Sequence, residues 1–179
     1  MRPNEIITPR LRLGPLRAED RDILTGILTD PRVSRTYMVP DLNSEEEKTA
    51  LFERLRDLSL NADRFVYGIF RGGRLIGMIH EVDKTDSSVE LGYFISPGEQ
   101  GRGYASEALK AAADELLAKG WAAVEAAAFT ENPASLRVME KCGMTRSNKT
   151  ETLSYRGADH LCNYYQLTKE SCGPAAGRR

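Results

Sequence analysis

Two glycines bracket an arginine in SPGEQGRGYAS, residues 96–106. The apolar run VELGYFI ends just before this stretch, and an alanine-rich helical pattern starts inside it. Glycine costs a helix start backbone entropy and brings no packing of its own. Gly101 and Gly103 therefore suggest a backbone that something approaches closely. The first N–H groups of a helix lack intrahelical acceptors, and the helix dipole puts partial positive charge there. Strand, glycine turn and helix N-terminus in that order can cradle a phosphate. A plain strand-to-helix turn uses the same residue types, and the two glycines alone leave both readings open.

The spacing separates the known phosphate-binding designs. A P-loop needs GxxxxGK[ST], which is absent. A dinucleotide fingerprint needs a third Gly or an Ala where Ser106 stands, with an acidic residue about 20 positions on, here Glu125. Glu125 falls inside a strand, hairpins precede the loop, and too little chain follows for a doubly wound sheet. Elsewhere the chemistry-bearing residues are scattered. Glu90 lies on the strand before the loop. Asn132 opens a short helix with Ser135 in its first turn. His80 and His160 read as ordinary strand or surface residues. Cys142, Cys162 and Cys172 form no CxxC pair, so neither a disulfide framework nor a metal site is expected.

These residues need a scaffold, and the periodicity supplies one. RLRLGPL, residues 10–16, alternates as a strand, and residues 17–30 carry helical spacing ended by Asp-Pro. LNSEEEKTALFERLRDLSL shows a capping box, Ser44 with Glu47, and an apolar stripe at Leu51, Leu55 and Leu58. Strands at 64–70 and 74–82 flank the turn RGG, and a third strand follows at 89–95. A helix is expected from Tyr104 to Lys119, an alanine-rich strand at 121–129, and a helix from Asn132, with Pro133 at its first position, to Gly143. Strands at 145–155 and 159–169 close the pattern. The strand before the glycine loop and the strand after its helix form a βαβ unit and so run parallel. One domain over residues 1–169 is expected, with a disordered tail at 170–179.

The chain has 179 residues, 41% hydrophobic and 28% charged, with a net charge of −1. That balance offers no electrostatic footprint for nucleic acid. No 18-residue apolar run spans a membrane, and residues 1–13 lack the apolar core of a secretory signal. A cytoplasmic protein, monomer or homodimer, is expected.

The stretch QGRGYA, Gln100 to Ala105, resembles the Q/R-x-x-G-x-G/A signature of the GNAT acetyltransferase superfamily without a mismatch. ENPASLRVMEKCGM, residues 131–144, resembles that family's second signature, and the likeness runs over roughly residues 6 to 169. It looks most like the branch of ribosomal-protein N-terminal alanine acetyltransferases. The resemblance implies an α/β (α+β) fold: one largely antiparallel mixed sheet with a central splayed parallel pair, flanked by about four helices. It also implies acetyl-CoA as co-substrate and no metal. Phe94, Ile95 and Ser96 are then expected to meet the pantetheine arm through their backbone. The pyrophosphate is expected on the N–H groups of Gly101, Arg102, Gly103, Tyr104, Ala105 and Ser106. Gln100 braces that loop, Tyr104 packs, Arg102 either pairs with a phosphate or faces solvent, and Asn132 both caps its helix and touches the cofactor arm.

For catalysis the resemblance points to Glu90 as a base through water and Ser135 as acid. Each also has a structural reading, as an ion-paired carboxylate and a helix-start hydroxyl. The tyrosine that many relatives carry seven residues after the helix-opening Asn is here Met139. An α-amine with a pKa near 7.7–8.0 is roughly 10–17% neutral at pH 7, against about 0.04% for lysine, so weak acid–base equipment suits an N-terminal α-amine. A small-molecule amine (polyamine, amino acid or aminoglycoside) is the alternative acceptor. A non-catalytic acyl-CoA-binding module is the alternative class. Asp41, Glu45, Glu46, Glu47, Glu53 and Asp57 either attract a cationic acceptor or form a solvated face.

Overall fold

Hairpin pairing builds the first half of the sheet. The structure, a computed structural model, describes residues 5–170. Apart from Glu170, the tail expected at 170–179 lies outside the described residues, as does Cys172. The strands are β1 (Ile6–Ile7), β2 (Arg12–Gly14), β3 (Val66–Arg71), β4 (Arg74–Lys84), β5 (Ser88–Ile95), β6 (Ala123–Phe129), β7 (Thr145–Tyr155) and β8 (Ala158–Thr168). They lie side by side in the order β1-β2-β3-β4-β5-β6-β8-β7. Every neighbouring pair is antiparallel except β5 and β6.

That parallel pair is short. Its register covers only Ser88↔Ala123, Val89↔Val124 and Glu90↔Glu125. Beyond Glu90, β5 continues to Ile95 held by β4, while β6 continues to Phe129 held by β8. The two strands part, and the middle of the sheet opens.

The helices are α1 (Arg21–Thr29), α2 (Pro31–Ser34), α3 (Glu45–Leu60), α4 (Tyr104–Ala118) and α5 (Pro133–Lys141). The helix expected over 17–30 ends at Asp-Pro as read, but a short further helix, α2, begins at Pro31, giving five where about four were expected. A 3₁₀ turn at Ala18–Asp20 precedes α1, and Asp30 turns extended before Pro31, as a residue preceding proline does. Its carboxylate then accepts the Arg32 N–H at 2.9 Å and caps α2. The capping box holds as read: Ser44 Oγ accepts the Glu47 N–H and the Glu47 carboxylate accepts the Ser44 N–H, each at 3.1 Å.

Helix α4 lies on one face of the sheet. Ala108, Leu109, Ala112 and Ala113 are fully buried there against Val124 and Ala126 of β6. Small side chains on both partners let helix and strand approach closely, so the alanines of β6 sit in a strand despite weak β propensity. Helices α1 and α3 cover the other face, where Leu24, Leu28 and Phe52 pack with Val66, Met78 and Phe94. Among the described residues no helix is long and apolar enough to cross a membrane.

Candidate functional site

The splay of β5 from β6 opens a cleft of about 710 Å³ between the two layers of helices. Its first wall is the glycine loop. Gly101 and Gly103 hold φ of +75° and +81°, where a side chain strains the backbone. Helix α4 has no side-chain cap, and its first backbone bond runs from the Glu107 N–H to Gly103 O at 3.0 Å. The six N–H groups from Gly101 to Ser106 find no acceptor among the described residues. Gly101, Gly103, Tyr104, Ala105 and Ser106 line the cleft, so this donor run borders open space.

The loop is braced from several sides. Gln100 Nε2 donates to Ile95 O at 2.9 Å. The Arg10 guanidinium donates to Arg102 O at 2.9 Å and to the Glu107 carboxylate at 2.6 Å. Tyr104 is buried, with the Arg10 guanidinium 4.7 Å from its ring centre. The Arg102 guanidinium faces solvent beside Glu99 at 3.2 Å and does not line the cleft.

The central strand supplies the floor. In an antiparallel ladder alternate residues direct N–H and C=O to one neighbour. Ser96 N–H donates to Ile76 O at 2.7 Å, so Ser96 and, by alternation, Phe94 spend their backbone groups on β4. The N–H groups of Tyr93 and Ile95 point the other way, into the splay. Of the three strand-edge residues expected from the sequence, Ile95 alone turns its N–H to the cleft, and Tyr93 joins it.

Tyr93 was not foreseen as a site residue, although it stands in the GYF of β5. Its hydroxyl lies 2.8 Å from Ser135 Oγ, and burial holds the phenol well above its ordinary pKa. Asn132 Oδ1 accepts the Ser135 N–H at 3.2 Å, capping α5 beside the cleft. Met139 is fully buried in the core and absent from the cleft lining. A phenol thus reaches α5 from the strand rather than standing on the helix at residue 139.

On the opposite side of the floor lies Glu90, the last residue of β5 in register with β6. Burial raises its pKa, with Glu125, Asp83 and Glu151 adding to the effect and Lys149 opposing it. Lys149 itself lies 3.7 Å from Glu125 and 3.8 Å from the Tyr164 ring centre. The outer wall here consists of residues 32, 33 and 35–38, with His80, Phe129 and Tyr164. Tyr155, at the end of β7, donates to Ser34 O at 2.7 Å and accepts the Val39 N–H at 3.3 Å, pinning that segment across the cleft. None of Asp41, Glu45, Glu46, Glu47, Glu53 and Asp57 lines the cleft. Glu45 pairs with Arg21 and Lys48, and Glu53 with Arg56, as a solvated helix face does.

Comparison with known proteins gives a consistent picture. Residues 10–145 match the acetyltransferase (GNAT) domain family. The N-acetyltransferase YoaA of Bacillus subtilis, whose function is uncharacterized, is 27% identical over 168 residues, covering 90% of this chain and 95% of that protein. A GNAT-family acetyltransferase from Bacillus anthracis superposes with a TM-score of 0.79 at 22% identity, over 93% of this chain and 99% of that one. RimL, a ribosomal L7/L12 alpha-N-protein acetyltransferase solved with coenzyme A, superposes with a TM-score of 0.81 at 18% identity, over 94% and 99%.

Proposed function

The chain belongs to the GNAT acetyltransferase family, and on that premise we propose that it transfers the acetyl group of acetyl-CoA to the α-amine of a protein or peptide N-terminus. The observation that carries the reading is the run of six unpartnered N–H groups, Gly101 to Ser106, on the wall of an open cleft. A pyrophosphate fits it: the donors are fixed backbone groups at a helix N-terminus, and the glycines keep side chains out of the way. Tyr93 and Ile95 then meet the pantetheine amides as an added strand would. Asn132 and Ser135 flank the arm where it passes α5.

The acceptor nitrogen attacks the thioester carbon as a neutral amine. The carbonyl oxygen gains negative charge, which a β5 backbone N–H stabilises as a fixed donor. Collapse of the tetrahedral intermediate forms the amide and breaks the C–S bond. The leaving thiolate takes the proton that the nitrogen sheds, passed through the Ser135–Tyr93 hydroxyl pair. Glu90 holds the incoming ammonium by charge and is a candidate base through water. The choice of an α-amine draws support from RimL, which shares this fold and acts on a ribosomal-protein α-amine.

Thermal unfolding with acetyl-CoA, CoA and NAD tests the cradle. At a hundredfold excess over Kd, binding to the folded state stabilises by about 2.7 kcal/mol, or roughly 5–10 °C for a domain of this size. Gly103→Val should abolish the response to both CoA species. Gly120→Val is the control, since Gly120 is also left-handed, at φ +112°, but lies outside the cleft. Equal responses in both variants overturn the cradle. Thiol release with N-terminal peptides against polyamines, amino acids and aminoglycosides then decides the acceptor.

A further inference from the structure

His80 lies on β4, with its backbone in register with Gly92 of β5, and its ring lines the acceptor side of the cleft. Its two ring nitrogens are both engaged. Nδ1 lies 2.8 Å from Glu81 O, and a carbonyl can only accept, so Nδ1 carries the proton. In the neutral ring Nε2 is then the acceptor, and the Tyr37 hydroxyl donates to it. Tyr37 lines the same cleft, and its ring packs edge-on against Phe94, with centres 4.8 Å apart. Gly92 leaves the space beside this pair open: a Cβ there would lie 3.3 Å from His80 Nε2 and 2.9 Å from Val82 Cγ2. A phenol whose proton is already aimed at a neutral imidazole, on the wall of a reaction cleft, is equipped to relay a proton.

We propose that Tyr37 takes the proton of the acceptor ammonium and passes its own proton to His80 Nε2. The inference rests on the acetyl-transfer reading above and identifies the group that frees the amine. The ammonium N–H bond breaks as a bond to the Tyr37 oxygen forms. The phenol O–H breaks as the Nε2–H bond forms. One positive charge moves from the ammonium to the imidazole, which keeps its Nδ1–H on Glu81 O. Tyr37 touches the amine, and His80 acts through it as a positioning residue and proton store. The proton leaves to solvent after the product does, while the second amine proton goes to the thiolate as described.

The surroundings favour a neutral imidazole at rest. Burial pushes the His80 pKa below its ordinary value, against a weaker upward pull from Glu81. The Glu81 carboxylate is itself paired with Arg64 and lies 3.6 Å from Lys84. Glu90 on β5 and Arg32 and Arg35 near α2 are the other charges along this part of the cleft, and β3 brings only Val66 opposite His80. Burial of the bound ammonium lowers its pKa by the same rule, so the two groups approach each other.

The test is kcat/KM against pH for an N-terminal peptide, with wild type, Tyr37→Phe, His80→Gln and Glu90→Gln. The wild-type acidic limb should fall at the His80 pKa, measured independently by NMR on the unsubstituted protein. Activity is then lost as pH drops through that lowered value. Tyr37→Phe and His80→Gln should each lose about 100-fold at pH 7 and move the limb up to the free amine's pKa of about 7.7–8.0. The deficit should shrink above it, with the acetyl-CoA melting response intact. Glu90→Gln should raise KM without moving the limb. Unchanged profiles for Tyr37→Phe and His80→Gln, a limb moved by Glu90→Gln alone, or a wild-type limb more than about one unit from the NMR value would each overturn the relay. A wild type that melts higher with acetyl-CoA yet acetylates no amine overturns the transfer reading, and the relay falls with it.

Discussion

The two halves of the cleft are built by opposite means. On the proposed coenzyme side a short run, Gly101 to Ser106, offers backbone N–H groups fixed by two left-handed glycines and a helix start. On the acceptor side the wall is side chains from separate elements: Tyr37 after α2, His80 on β4, Glu90 on β5 and Phe129 on β6. A pyrophosphate makes the same demand whatever the acceptor, and backbone groups meet it rigidly. An acceptor must be distinguished from others, which calls for side chains that can vary without disturbing the sheet.

This contrast can be broken from either side. The larger effect is expected from Tyr155→Phe. It removes the hydroxyl that pins residues 34–39 and leaves Ser34 O and the Val39 N–H without that partner. Stability should fall by about 1–3 kcal/mol. The peptide kcat/KM should fall roughly 10-fold to 100-fold, because a misplaced wall costs orientation. The acetyl-CoA melting shift should stay at its wild-type size. A parallel loss of that shift would mean that the halves are not independent.

Glu107→Gln should have the smaller effect and touch the coenzyme side alone. Burial pushes the Glu107 pKa up, but Thr8 and Arg10 outweigh it and hold the carboxyl below the usual range. A depressed carboxylate contributes stability above its unfolded pKa, and loses it as pH falls through the lower folded value. The ion pair with Arg10 is half-exposed, so water screens it, and about 1 kcal/mol at neutral pH is expected. Urea midpoints of wild type and variant should converge in acid. A gap that persists below pH 3 would show that the loss is packing rather than charge.

The same division explains what the sequence made readable. The glycine loop was legible because its parts are contiguous: strand, glycines and helix start lie within a dozen residues, and each leaves a local mark. The capping box at Ser44 and the hairpins were legible for the same reason. Tyr93 escaped because its meaning lies in Ser135, 42 residues away on another element. His80 escaped because a lone histidine says nothing until Tyr37, 43 residues back, is folded against it. The break of α1 from α2 was marked by Asp30-Pro31, but that signal reads as a helix end, and the new cap appears only in three dimensions. Met139 has no proton to donate, and the structure adds that it is buried: that face of α5 belongs to the core.

The three-residue contact between β5 and β6 has a consequence for hydrogen exchange. Amides at the centre of an eight-stranded sheet ordinarily exchange last, through global unfolding. Tyr93 and Ile95 sit at that centre, yet their N–H groups have no neighbouring strand to hold them. In the free protein these two amides should exchange like those of an edge strand, far ahead of their neighbours Phe94 and Ser96. With acetyl-CoA bound they should join the slowest class. The ligand then serves as the sheet's missing strand.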